Sequence, residues 1–225
     1  MICIEHANNH EIRIDRNEVL RYLGYGKNTA DGITAGMIEE CTADIERLLS
    51  CRACYDRFPI FIEPCGALNI GFGSICSEAL KKNLGGCGEV ILFTATIGIE
   101  TDRFIGKYSG VSPARAVIAQ AAGAAAIEEW CDIFCSRLAE RELKNGNYLR
   151  PRFSPGYGDF PLESQKQIFK VLDCSRKIGV TLTDSCLMLP SKSVSAVIGL
   201  SKTDSGCTHS GCEVCKNTEC KFRRC

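Results

Sequence analysis

The chain has 225 residues, enough for one large domain or two small ones with a sizeable core. Lysine plus arginine and aspartate plus glutamate number 27 each, so no bulk charge favours nucleic acid or an anionic membrane as partner. No window reaches the roughly 18 apolar residues of a spanning helix. The start, MICIEHANNHEIRID, lacks the basic and then apolar order of a signal peptide, which predicts a cytoplasmic protein with a small-molecule or protein partner.

In chain order, HEIRID alternates like an edge strand, and Asp15 with Glu18 gives a D-x-x-E start to a short helix, RNEVLRYLG, stopped by Gly24. Ile38, Cys41, Ile45 and Leu48 recur at helical spacing in a second helix. Residues 1–56 are therefore expected to form a helical cap. From Phe58 to Thr96 the pattern changes to the β-rich runs FPIFIEP, ALNIGFG and EVILFTATIG, with a helix SICSEALKKNLGG between the last two. Gly71-x-Gly73 invites a phosphate-loop reading, but Cys76 stands where the third glycine of that motif belongs, and packing glycines are the better reading.

Pro113 opens a stretch of about thirty residues with no breaker except Gly123, far longer than an average helix. Pro113 suits its first turn and Gly146 its end. The Ala and Gly run at 119–126 lets another backbone approach closely, and Glu128, Glu129 and Asp132 follow it, either as solvated charges or as ligand contacts. An amphipathic helix LESQKQIFKVLDCSRK and two antiparallel strands joined through Pro190 in IGVTLTDSCLMLPSKSVSAVIGLS close the folded part. The expected class is α+β: a modest mixed or antiparallel sheet, a long central helix, an N-terminal helical cap and a Cys-rich C-terminal tail. Residues 57–200 are expected as the main domain and 201–225 as the tail.

Between those helices lies RPRFSPGYGDFPLE, residues 150–163. Pro151 and Pro155 fix φ on either side of Arg152 and exclude helix, so the arginine projects from an extended or turn segment. Its guanidinium offers a bidentate fork to a carboxylate or phosphate, Gly156 lets a ligand approach the backbone, and Tyr157 adds an aromatic face and a hydroxyl. The set suits a small zwitterion.

The chain holds sixteen cysteines, which in a reducing compartment read as thiols or metal ligands. Cys41, Cys76, Cys131 and Cys135 sit in apolar helical patterns and read as small buried thiols. The tail CTHSGCEVCKNTECKFRRC places Cys207, Cys212, Cys215 and Cys220 at spacings that suit an iron-sulfur cluster or a zinc ion, with Cys225 as a spare. Such a centre would order a tail too polar to pack by itself. Lys221, Arg223 and Arg224 make the end basic, suited to an acidic electron donor such as a flavodoxin or ferredoxin.

Arg152-x-x-x-Gly156-Tyr157, the helix after it and LTDSCLMLPSKSVSAVIGL, residues 182–200, together resemble the reactivation domain of cobalamin-dependent methionine synthase. That family pairs an R-x-x-x-G-Y motif for S-adenosylmethionine with a downstream L-T-[ED]-S-x-x-M-x-P-x-x-S-V-S block. The resemblance implies that Arg152, Ser154, Gly156 and Tyr157 hold the amino-acid end of S-adenosylmethionine, joined by Glu128, or by Glu129 if the register slips by one. It implies a free-standing reactivation component that methylates cobalamin carried by synthase modules on another chain. The implied chemistry is one of orientation, with no catalytic acid, base or nucleophile of its own. Two departures stand out: the acidic residue that the family places before its long helix has no assignable counterpart, and the first hundred residues read differently. A metal-bearing electron-transfer or interaction module without methyl-donor binding is the alternative.

Overall fold

The computed structural model describes residues 1–26 and 28–204, so Cys207, Cys212, Cys215 and Cys220 lie outside the described residues. The chain begins with β1 (Cys3–Ala7), a single 3-10 turn at Asn9–Glu11, α1 (Arg16–Tyr22) and α2 (Gly32–Leu48). Then come β2 (Cys51–Pro59), the short strands β3 (Phe61–Ile62), β4 (Leu68–Asn69) and β5 (Ser74–Ile75), and α3 (Glu78–Asn83). β6 (Cys87–Thr96) leads into α4 (Glu100–Ser109), α5 (Pro113–Leu143) and β7 (Tyr148–Leu149). The chain continues with α6 (Ser164–Leu172), α7 (Cys174–Ile178), β8 (Thr181–Leu182), β9 (Met188–Leu189) and β10 (Ser193–Ser201).

Five strands form one antiparallel sheet in the order β1-β2-β6-β10-β7, the α+β arrangement expected from the sequence. Strand alternation supplies two apolar faces. In β6, Ile91, Phe93 and Ala95 face α2 and α5, while Val90 and Leu92 face α3, α6 and α7. The sheet is therefore the middle of three layers.

α5 is the largest element of the first face. Pro113 occupies its first turn, and Ala119, Ala122, Gly123 and Ala126 are buried along it. A Cβ on Gly123 would lie 3.0 Å from Lys192 and 3.1 Å from Thr101, so the small-residue run permits a close approach as read from the sequence. Further along, Phe134 meets Phe93 and Tyr55 at ring distances of 5.1 and 5.4 Å, and Trp130 donates to the Arg52 carbonyl at 3.2 Å. These contacts fix both the rotation and the height of α5 on the sheet.

Several local expectations are revised. HEIRID is not a strand; the edge strand is β1, which starts seven residues earlier, and Ile12 and Ile14 alternate because both are buried in an extended stretch whose Ile14 N–H bonds the Glu46 side chain. The helix expected over 162–177 is interrupted at Asp173, which takes a left-handed φ of 48° and separates α6 from α7. The two strands expected around Pro190 do not pair with each other: β8 and β9 form a small hairpin, while β10 joins the main sheet. Cys76 is exposed and lies outside any helix, whereas Cys41 and Cys131 are buried. Gly71 acts sterically, since a Cβ there would fall 2.4 Å from the Phe58 ring. The boundary expected at 56/57 falls inside β2.

Among the described residues no helix is long and apolar enough to cross a membrane, and no cluster of three or more metal-ligating side chains is present.

Candidate functional site

The segment carrying Arg152 is held from both sides. Its residues run beside β10, where Phe153 and Val197 exchange two backbone hydrogen bonds of 2.9 Å and Arg150 donates to the Gly199 carbonyl at 2.8 Å. After Pro155 the chain turns back on itself: Gly156 N–H donates to the Phe160 carbonyl at 2.8 Å, and Tyr157 N–H to the Ser154 carbonyl at 3.2 Å. Gly156 has φ of 93°, a conformation that favours glycine. Phe153 stacks on Phe160, and the Asp159 carboxylate accepts from Ser77 Oγ and from the N–H groups of Glu78 and Ala79. The turn is thus fastened to α3 as well as to the sheet.

Arg152 points from this segment to α5. Nη2 lies 2.6 Å from Glu128 Oε2, Nη1 lies 2.6 Å from Asp132 Oδ1, and Cys135 Sγ is 3.9 Å from Nη1. Glu128 and Asp132 are four residues apart, so one helical face presents both carboxylates. Burial opposes the guanidinium charge, but Cys131, Asp132 and Glu128 outweigh it and hold the Arg152 pKa above its ordinary value. Cys131 is itself pushed up by burial and is a neutral thiol at pH 7, which leaves the two carboxylates as the effective charges.

Between α5, the turn and the first residues of β10 lies a cavity of about 400 Å³, within the range of small-ligand sites. Glu128, Arg152, Ser154 and Tyr157 line it, and Tyr157, 68% exposed, stands at its mouth. Four of the five site residues read from the sequence therefore meet at one cavity. Gly156 is not in the lining; its N–H is engaged by Phe160, and it shapes the turn that places its neighbours. Glu128, and not Glu129, meets Arg152. Glu129 has its pKa raised by burial, Asp132 and Asp15.

Other lining residues were not singled out from the sequence: Phe153, Gln165, Met188, Ser193, Val194 and Ser195. Asp132 as a direct partner of Arg152 was within reach of the sequence through its four-residue spacing from Glu128. Nothing local marks Gln165, because its place in the lining depends on where α6 meets the sheet.

The cavity can hold a ligand that carries a carboxylate for the Arg152 fork and a cation for Glu128, with a larger neutral part extending toward α6 and β10. Residues 118–207 match the family model of the vitamin B12 dependent methionine synthase activation domain. No curated protein matches the chain. Among solved structures, a crystal structure of the MetH reactivation domain bound to AdoHcy is similar, with 17% sequence identity, a TM-score of 0.62, and coverage of 91% of this chain and 79% of that chain. The matched segment includes Glu128, the Arg152 turn and β10, the parts of the chain that enclose the cavity. Residues 118–207 thus resemble the vitamin B12 dependent methionine synthase activation domain, and the chain shares its fold with that solved structure.

Proposed function

We propose that this chain binds S-adenosylmethionine in the cavity and acts as a reactivation component for cobalamin-dependent methionine synthase in the cytoplasm. The carrying observation is Arg152 held between Glu128 and Asp132 on the wall of a ligand-sized cavity, inside the segment that matches the activation-domain model. Arg152 takes the ligand's carboxylate, Glu128 its ammonium group, and Ser154 and Tyr157 close the side toward solvent. Gly156 supports the turn.

The substrate of the reaction is cob(II)alamin on the synthase modules of a partner chain. One electron from a flavodoxin or ferredoxin reduces it to cob(I)alamin. The cobalt electron pair then forms a bond to the methyl carbon as the carbon–sulfur bond breaks, and S-adenosylhomocysteine leaves with the sulfur pair. The chain's own contribution is to hold the sulfonium methyl in line with the metal. No acid, base or nucleophile is required of it. From the sequence, Cys207, Cys212, Cys215 and Cys220 are proposed as ligands of one iron-sulfur or zinc centre, which metal analysis of anaerobically purified protein tests.

Titration calorimetry with S-adenosylmethionine and S-adenosylhomocysteine tests the central claim. Saturable binding of both supports it, and no heat with either overturns it.

A further inference from the structure

Directly opposite residues in neighbouring strands share one face of a sheet. On the face under α6 and α7 the register sets Cys54 of β2, Thr94 of β6 and Ser195 of β10 side by side. All three are buried, and Ser195 lines the cavity. The first residue of α7, Cys174, closes over this row: its Sγ lies 3.8 Å from Cys54 Sγ and 3.3 Å from Thr94 Oγ1. Two free, fully buried thiols, 120 residues apart in the chain, thus meet within two strands of the cavity wall.

The two sulfurs are not equivalent. A Cys174 thiolate accepts from the Cys54 thiol and from the Thr94 hydroxyl, which hold its pKa below the ordinary thiol value against the cost of burial. Cys54 is pushed the other way, first by Cys174 and then by burial. Such a split suits an attacking thiolate beside a resolving thiol. Cys131 and Cys135 on α5 differ, since burial pushes both of them up and activates neither. On the cavity wall, Gln165 Oε1 and Ser195 Oγ have no hydrogen-bond partner among the described residues. They offer hydrogen bonds to a small polar molecule that enters, and Thr94 is the next residue of the same row.

We infer that Cys54 and Cys174 are a peroxide-sensitive dithiol pair reached from the cavity, and that they close to a disulfide tying α7 to β2. This goes beyond the reading given under Proposed function and does not depend on which ligand the cavity binds. Hydrogen peroxide is the oxidant that the enclosure fits, because it is neutral and little larger than water. The Cys174 thiolate attacks one peroxide oxygen, the O–O bond breaks, and the other oxygen leaves as hydroxide, so that Cys174 becomes a sulfenic acid. The proton that Cys174 gave up turns this hydroxide into water. The Cys54 sulfur then bonds to the Cys174 sulfur, the S–O bond breaks, and the oxygen leaves with the Cys54 proton as a second water. The pair is oxidised by two electrons and the peroxide is reduced by the same two.

Cleavage after lysine and arginine puts Cys54 in the peptide 53–57 and Cys174 in the peptide 171–176, each with one cysteine, so a link between them has a single expected mass. The full chain, reduced and folded, is treated with excess hydrogen peroxide, alkylated in denaturant, cleaved and mapped by mass spectrometry. The linked peptide is expected as the main form of both cysteines. Recovery of both peptides as alkylated thiols, while the exposed Cys65 and Cys76 are oxidised, overturns the inference. A link that forms only when peroxide is added in urea overturns it too, as do links that join Cys54 or Cys174 chiefly to other cysteines. Dimedone, which traps sulfenic acids, is expected to label Cys174 in Cys54→Ala and to leave Cys54 unlabelled in Cys174→Ala. Label on Cys54 and none on Cys174 overturns the order of attack. If either variant does not fold, the wild-type map decides the pair by itself.

Discussion

Arg152 and Glu128, 24 residues apart in the chain, meet at 2.6 Å through Nη2 and Oε2, and Asp132 takes the other arm of the same guanidinium at 2.6 Å. The fork that would receive a ligand carboxylate is thus already occupied by two protein carboxylates. A ligand with both a carboxylate and an ammonium group can exchange into this arrangement without leaving a buried charge alone: its carboxylate replaces one acid on Arg152, and its ammonium compensates the acid released.

Replacing Arg152 by Ala would remove the carboxylate partner proposed for the ligand and leave Glu128 and Asp132 facing each other. Binding of S-adenosylhomocysteine is expected to weaken by about 1.5–3 kcal/mol, the range for hydrogen bonds to charged groups. Calorimetry checks this, and unchanged affinity refutes the assignment of Arg152.

Under the proposed binding mode Asp132 competes with the ligand for Arg152, so Asp132→Asn should tighten binding. The side chain is 51% exposed, which limits the gain to roughly two- to fivefold. The gain should fall as salt rises, because added ions already weaken the Arg152–Asp132 attraction in the wild-type protein. A loss of affinity in this variant would make Asp132 a ligand-binding residue instead of a competitor.

Gly71 and Gly73 separate steric from phosphate-loop roles. Gly71 has φ of 97° and a Cβ on it would collide with Phe58, whereas Gly73 has φ of 119° and open space around it. Gly71→Ala should therefore destabilise the fold by about 1–3 kcal/mol beyond the backbone strain that Gly73→Ala shares. Urea unfolding of the two variants measures the difference, and ligand affinity should be unaltered in whichever variants fold.

Asp159 links stability to pH. Its pKa is lowered first by the Ser77 hydroxyl and then by the Glu78 and Ala79 N–H groups, so the ionised form is favoured in the folded state. The contribution is fully present above the unfolded aspartate value of about 3.9 and is lost as pH falls through the lower folded value. Asp159→Asn should lower the melting temperature at neutral pH, with the difference from wild type narrowing on acidification through that window. A difference that stays constant down to acid unfolding would contradict the role given to this carboxylate.

Much of this was legible in the sequence where a short motif carried its own physics. Two prolines around Arg152 and the Gly156-Tyr157 turn described a non-helical segment that lines the cavity, and Pro113 with the alanine run described α5, because both depend on local backbone preference. Gln165 and Ser195 were not legible. What marks them is burial without a hydrogen-bond partner among the described residues, and that arises only when α6 and β10 come together. HEIRID misled for a related reason: a period of two reports alternate burial, and Ile12 and Ile14 achieve it with a side-chain partner, Glu46, in place of a neighbouring strand. The break at Asp173 depends on one residue in a left-handed conformation that its neighbours do not announce.

Glu128 and Asp132 share α5 with Trp130 and Phe134, which are fully buried and wedged against the central sheet. One wall of the cavity is therefore part of the hydrophobic core, and its carboxylates have no loop through which to drift. Divergence toward a ligand of another size would have to be absorbed on the opposite side, in the turn at 152–160 and the start of α6. In a family spreading over many partners, the helix would be the slow-changing half of the site and the turn the inventive one.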